Sequence, residues 1–304
     1  MNATQDLAWF DAIPSGFAAA KPTNATIEEL RVWHATGTLA LQRKRDGRRH
    51  YLVRGQERGY VFTRGLQDVS SDHPDIVAAI EECLSPGSML DAEFVVSAGT
   101  RDDFAASGTL LAQATGTFIV FDLLFLAGEA VYGYPYGQRY VALQALSDVW
   151  PRRIRLIEML TEDVDAAVAR CINEGWEGLC GWFLDRPTQI SLNGSPKRCN
   201  VVRWKPVKED DFVVTGIAEV AKGGKAGFVG SYALAQYRDG RLVKCGRANS
   251  ADWVPLAEVS GWTWPRVAQV AFQKRTATGH CQFGRFLRWR DDKTPAECVW
   301  RDEE

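Results

Sequence analysis

The chain reads as an α+β protein in two domains. Residues 1–207 form a domain of antiparallel sheets and helices, and residues 208–304 form a small β-barrel. Three observations predict this. At roughly one domain per 100–200 residues, a chain of 304 suits two. Up to residue 207, apolar runs broken by Gly, Asp and Asn alternate with segments of helical spacing. From Lys208 onward the helical spacing stops, and short strand-like runs follow one another.

In the first domain, LALQRKRDGRRHYLVR reads as two strands joined across Asp46-Gly47, a hairpin dipeptide. RGYVFTRG reads as a third strand. HPDIVAAIEECL has helical spacing, with Pro74 near its start. SMLDAEFVVSA is a strand, and GTFIVFDLLFLAG is an apolar, buried one. The segments Tyr140 to Trp150 and Thr161 to Gly175 are expected to be helical. Glu162, Asp163 and Asp165 suit the start of the second. Strands return at LCGWFL and VVRWKPV. After the acidic break KEDD come DFVVTGIAEV, GSYALAQY, RLVKCGRA, VAQVAFQKR and RFLRWR. Five short strands in about a hundred residues suggest a closed barrel, and the OB-fold has that count. Asp239-Gly240 is a second hairpin signal, and the domain boundary falls near 206–210.

Composition removes several classes of protein. No run of 18 apolar residues is present, which excludes a helical membrane span. The start, MNATQDLAWFDAIPSGF, lacks a basic stretch followed by an apolar one, so no secretory signal is expected. The seven cysteines form no CxxC pair, which argues against a zinc site or disulfide framework and for a reducing cytoplasm. Four histidines without HExxH spacing argue against a histidine-based metal enzyme. KGGKAG at 222–227 lacks the GxxxxGK[ST] pattern, so it is no phosphate-binding loop and is read as a mobile strand-to-strand loop carrying Lys222 and Lys225.

A net charge of −2 does not suggest a nucleic-acid partner, but the basic residues are clustered. Arg43 to Arg49 carries five bases and one acid. Arg152, Arg153 and Arg155 form a second group. Lys197, Arg198, Arg203, Lys205 and Lys208 form a third, and Arg285, Arg288, Arg290 and Lys293 a fourth. Each alone is read as a solvated face, whereas convergence on one groove would track phosphates.

Lys44-Arg45-Asp46-Gly47 is the motif to weigh first. Alone, it reads as a basic hairpin turn. Arg49 follows five residues after the lysine. FTRG with Arg64, HPDI, LDAEF with Glu93, VFDLLFLAGEAVYGYPYGQRYVAL, EGLCGW with Glu177, VVRWKPV and RFLRWRDDKTP follow in that order, from about Leu41 to Pro295. In that order they resemble the covalent nucleotidyltransferase superfamily, and within it the ATP-dependent DNA ligases. The matches are to KxDGxR, an SRNG-like segment with its trailing Pro, LDGE, FDLLYLDG…RR..L, EGLMVK, WLKVKP and RxRxDKxP. Ala92 stands where LDGE has glycine, and Arg203 where the family usually has lysine.

The resemblance implies a nucleotidyltransferase (adenylation) domain followed by an OB-fold domain. It makes Lys44 the nucleophile that takes AMP from ATP. An amine attacks only when unprotonated, and a lysine's usual pKa is about 10.4, so the site is expected to depress it. Partial burial and the cations Lys205 and Arg203 are the candidates for doing so. Arg203 keeps the charge, adds a planar fork and cannot titrate. Glu177 is implied as a Mg²⁺ ligand and Glu93 as a ribose or metal contact. From pattern alone, both acids also read as edge-strand surface acids. Phe121, which needs no function to explain it in FIVFDLLF, is implied to stack on the adenine. Gln42, where relatives often carry glutamate, is the candidate for the adenine edge. Arg49 and Arg64 would bind ribose, phosphate or the 5′-phosphate of a nick. Arg290 and Lys293, otherwise a charged tail, would orient the pyrophosphate leaving group when the OB domain closes. Trp262, Trp264 and Trp289 read as core or rim packing rather than stacking platforms.

The expected activity is the sealing of nicks in duplex DNA through lysyl-AMP, AMP transfer to the 5′-phosphate, and attack by the 3′-hydroxyl. ATP and Mg²⁺ are the expected cofactors, a monomer the expected state, and the cytoplasm of a bacterial or phage-infected cell the expected place. An RNA ligase, an mRNA-capping guanylyltransferase, or a non-catalytic OB-fold nucleic-acid-binding protein are the competing readings. The motifs fill the chain, so a minimal form with no further DNA-binding, zinc-finger or BRCT-like domain is expected. Its grip on DNA should then rest on local basic clusters and weaken with salt.

Overall fold

The computed structural model describes residues 18–19, 21–98, 101–103, 106–108, 115–188, 190–191, 200–250, 252–276 and 278–300. The chain divides into two compact units, Met1–Lys205 and Pro206–Glu304. Among the described residues, no helix is long and apolar enough to cross a membrane.

Two sheets build the first unit. One contains β1 (Leu39–Lys44), β7 (Gly178–Phe183) and β8 (Val201–Trp204), flanked by Met159–Leu160 and Thr23–Asn24. The other contains β2 (Arg48–Arg54), β3 (Gly59–Thr63), β4 (Ser88–Val95) and β5 (Thr117–Leu126), with β6 (Ile154–Leu156) parallel to β5. One apolar face of the first sheet is covered by α1 (Ile27–Ala35) and α4 (Val164–Asn173). Leu30, Leu41, Ala167, Cys171 and Leu179 meet there. The second sheet packs on α2 (Pro74–Cys83) and α3 (Tyr136–Ser147) through Leu52, Ile76, Ile80, Val120 and Leu143. A third cluster, with Val95, Ile119, Tyr136, Ile157, Trp182 and Val201, joins residues of both sheets.

The helix ends follow their local chemistry. Thr26 and Glu29 form a capping box on α1. Pro74 is the first residue of α2, where its missing N–H costs nothing. Asp163 caps α4 by accepting from the Ala166 amide, and Gly175 follows that helix at a left-handed φ of 66°. α3 begins at Tyr136, four residues before the expected Tyr140, and stops at Ser147. Pro135 fixes the entry, and the Gly137 amide donates to the Leu184 carbonyl.

The expected hairpin across Asp46-Gly47 does not form. β1 and β2 lie in different sheets, so Asp46-Gly47 carries the chain from one to the other. Gly47 has no left-handed φ, and its reason is steric: a Cβ would sit 2.2 Å from the Phe94 carbonyl oxygen. By contrast, Asp239-Gly240 is the expected turn, with φ of 51° and 72° and Arg238 opposite Arg241.

In the second unit, β9 (Lys208–Val220), β10 (Val229–Arg238), β11 (Arg241–Asn249), β12 (Arg266–Phe272) and β13 (Gly284–Trp289) close into a barrel of order β9-β10-β11-β13-β12. β11 and β13 are parallel; the other pairs are antiparallel. Phe212, Leu234, Val270 and Phe286 fill its core, and Trp262, Trp264 and Trp289 pack against that core. The loop containing Gly223–Lys225 joins β9 to β10, and the Lys225 ammonium lies 3.1 Å from the Trp253 ring centre.

Two histidines are buried behind β4 and β5. His73 is 4% exposed and packs edge-on against Phe94 and Phe118, with His50 beside it. Burial, with smaller help from His50 and Arg153, lowers the His73 pKa from 6.5 to about 4. The unfolded chain therefore binds a proton between these values that the folded chain refuses, so stability is lost as pH falls through this window. The full effect is roughly 3 kcal/mol. The urea midpoint of the protein should drop between pH 7 and pH 5, and His73→Phe should shrink that drop. An equal drop in the variant would sink the assignment.

Candidate active site

Strand register gathers residues that are far apart in the chain. Lys44 ends β1 and lies opposite Gly178, so Glu177, just before β7, is brought beside it. β8 runs antiparallel to β7 with Trp204 opposite Leu179, which delivers Lys205 to the same end. Gly178 permits this close approach, since a Cβ there would lie 2.1 Å from the Trp204 carbonyl oxygen. Glu177 bridges the two lysines: it accepts from Lys44 Nζ, and its other oxygen accepts from Lys205 Nζ at 2.5 Å.

A cavity of 480 Å³ opens beside this bridge. The first sheet supplies Gln42, Lys44, Cys180, Trp182, Val201 and Arg203 to it. The second sheet and the segments around it supply Arg48, Arg49, Arg64, Glu93 and Phe121. One end is cationic. The other is flat and apolar, where Phe121, Trp182, Ile157 and Val201 meet. Of the expected site residues, Gln42, Lys44, Arg49, Arg64, Glu93, Phe121 and Arg203 line the cavity; Glu177 joins it through Lys44, and Lys205 through Glu177. Arg203 is held by Asn24 Oδ1 at 2.9 Å. Arg290 and Lys293 belong to the second unit, where both donate to Asp211.

Electrostatics correct the expectation for Lys44. Burial is the largest influence and works against its charged form, but Glu177, Cys180 and Glu93 together outweigh it and the pKa moves up, not down. Lys205 does not depress it either, because both lysines share one carboxylate. Without nucleotide, the amine is therefore held charged. Burial pushes Glu93 up to about 7, with Glu177 and Asp91 adding and Lys44 and Arg49 opposing.

Sequence reading missed the acids that tie down the basic run. Arg49 makes a bidentate pair with the buried Asp91, at 2.8 and 2.5 Å. Asp102, whose carboxylate side chain is 2% exposed, takes Arg43 and Arg45 at 3.2 and 2.7 Å and also accepts from the Asp46 amide. Much of the charge from Arg43 to Arg49 is thus matched inside the fold. Trp182 and Tyr136 were missed as well. Trp182 had a signal: it lies two residues from Cys180, which pairs with Gln42, so strand alternation places it on the cavity face. Lys197 and Arg198 of the third basic cluster lie outside the described residues.

A cavity with arginines at one end and aromatic rings at the other suits a ligand that joins phosphate to a flat ring. The profile of the ATP-dependent DNA ligase domain matches residues 18–180. The chain belongs to that family. A probable DNA ligase of Kineococcus radiotolerans is 29% identical over 297 residues, covering 86% of this chain and 57% of the relative. A DNA ligase of Thermococcus fumicolans is 24% identical, covering 86% of the chain and 53% of the relative. The chain thus spans little more than half the length of these relatives. Among solved structures, a Lig E DNA ligase shares the fold at a TM-score of 0.66 and 16% identity, over 90% of this chain and 99% of that one. The ligase domain of Mycobacterium tuberculosis LigD does so at 0.53 and 23%, over 94% and 98%.

Proposed function

We propose that the chain is an ATP-dependent DNA ligase that seals nicks in duplex DNA. The observation that carries this reading is the convergence of Lys44, Glu177 and Lys205 beside a cavity lined by arginines and aromatic rings. Residues 1–207 act as the adenylation domain. Residues 208–304 act as an OB-fold domain, supported by the closed barrel and its strand order. The protein works as a monomer in the cytoplasm of a bacterial or phage-infected cell.

In the first step the Lys44 amine attacks the α-phosphate of ATP, a P–N bond forms, and the bond to pyrophosphate breaks. Phe121 stacks on the adenine, with Trp182 packed beside it, and Gln42 meets its edge. Arg49 and Arg64 contact ribose or phosphate, and later the 5′-phosphate of the nick. Lys205 and Arg203 balance charge on the α-phosphate. Glu177, bonded to Lys44, is placed to share its proton. Arg290 and Lys293 orient the departing pyrophosphate. AMP then passes to the 5′-phosphate, and the 3′-hydroxyl displaces it.

Among the described residues, no group of three or more His, Cys, Asp or Glu side chains is arranged to hold a metal. Glu177 and Glu93 nevertheless fit Mg²⁺. They are hard oxygen donors that act on each other electrostatically, and Glu93, pushed up first by burial and further by Glu177 and Asp91, would be relieved by a dication. Phosphates and waters complete such a shell, and Mg²⁺ when bound supplies charge neutralisation to the phosphates.

The rival reading of a non-catalytic binder drew on Ala92 and Arg203. Ala92 is fully buried in the core cluster with Leu52 and Phe118, on the strand face opposite Glu93, and so leaves the cavity unchanged. Arg203 still lines the cavity. A fluorescent nicked duplex should be sealed with ATP and Mg²⁺ and not with GTP. Duplex binding without sealing or adduct formation would favour the binder, and transfer of GMP alone would favour a capping enzyme.

A further inference from the structure

Gln42 is almost completely buried, 1% exposed, yet it borders the cavity. A buried amide can present either its NH₂ group or its oxygen to a ligand, and the two choices select different bases. A hydrogen-bond relay settles the choice. The Phe121 main-chain carbonyl can only accept, so the Tyr136 hydroxyl, 2.8 Å away, must donate to it. The Tyr136 oxygen then has only lone pairs to offer. Gln42 must therefore turn its Nε2 toward it, at 2.8 Å. Among the described residues, Gln42 Oε1 has no hydrogen-bond partner, and it is the polar end left to face the cavity.

We infer that Tyr136 is a positioning residue for base selection: by fixing the Gln42 amide, it presents a lone acceptor that admits adenine and rejects guanine. Adenine offers an amino donor where guanine carries the O6 acceptor. Guanine would set acceptor against acceptor at a buried amide, where a mismatched polar group is costly. Tyr136 is itself buried, and burial raises its pKa, so the hydroxyl keeps its proton. The same residue holds the ring slot, stacking on Trp182 with centroids 4.2 Å apart and planes 18° apart. The base slot and the acceptor are thus set by one side chain reaching across from α3.

The inference rests on the proposed use of ATP in this cavity, and its test separates the two. Dissociation constants for ATP and GTP are measured by titration calorimetry on the full chain, and adduct formation on Lys44 separately. Tyr136→Phe keeps the ring stack and frees the amide. Its preference for ATP over GTP should fall about tenfold, mainly through weaker ATP binding and a higher KM. Adding Gln42→Glu should restore the preference, because a carboxylate has two acceptor oxygens and needs no orienting partner. An unchanged preference in Tyr136→Phe, or no rescue by Gln42→Glu, would overturn the inference. If Tyr136→Phe unfolds, Gln42→Met removes the acceptor with Tyr136 in place, and an unchanged preference there overturns it equally. Selective ATP binding without any Lys44 adduct would leave the relay standing and sink the ligase reading alone.

Discussion

Lys44→Ala protein incubated with ATP and Mg²⁺ should form no covalent nucleotide adduct, while the wild type gains the mass of AMP. The expected loss is total for adduct formation and at least about 10⁴-fold for sealing, because nucleophilic catalysis has no substitute once the amine is gone. The fold should survive. The Lys44–Glu177 pair is partly exposed, at 18% and 9%, and after the substitution Glu177 still holds Lys205. A thermal midpoint within a few degrees of wild type would show this. Lys44→Arg should be equally inactive, since a guanidinium retains the pair with Glu177 but does not deprotonate at working pH. Intact protein mass spectrometry reads the result directly. A normal adduct yield from Lys44→Ala would remove Lys44 as nucleophile, and with it the proposed function.

Gly47→Ala is the second large effect. An added methyl would stand 2.2 Å from the Phe94 carbonyl oxygen and 2.7 Å from a Val95 methyl, where no backbone atom gives way cheaply. β2 would have to move off β4. That strain should cost about 3 kcal/mol, at the upper end for overpacking. It should also displace Arg49 and Glu93, which face each other across the β2–β4 pair and line the cavity. Both the urea midpoint and adduct formation should fall. A variant with wild-type stability and full adduct yield would show that Gly47 has no packing role.

These two residues show how far the amino-acid order could be read. Lys44, Glu177 and Lys205 were legible as a candidate set from the order of their motifs, and strand register brings them together. Gly47 was legible as important but for the wrong reason. Asp46-Gly47 and Asp239-Gly240 look alike locally, yet only the second makes a hairpin. What separates them is Phe94, nearly fifty residues away, and no local pattern reports it. The same limit hid Asp91, Asp102 and Tyr136. Each reads as an ordinary strand or helix residue until the second sheet and α3 bring it against Arg49, Arg45 and Gln42. The Lys44 pKa was misjudged for a related reason. Basic neighbours are visible in sequence, but the one shared carboxylate between them is a property of three strand ends meeting.

The Glu177 bridge also guards against self-inflicted damage. A free, deprotonated lysine in an open cavity is a target for any aldehyde, acyl phosphate or isocyanate in the cell. An ammonium locked between carboxylate and backbone, donating to Glu177 and to the Arg45 carbonyl, has no lone pair to give. The Lys44 amine is thus kept without a free lone pair for as long as the balance of charge around Glu177 stands.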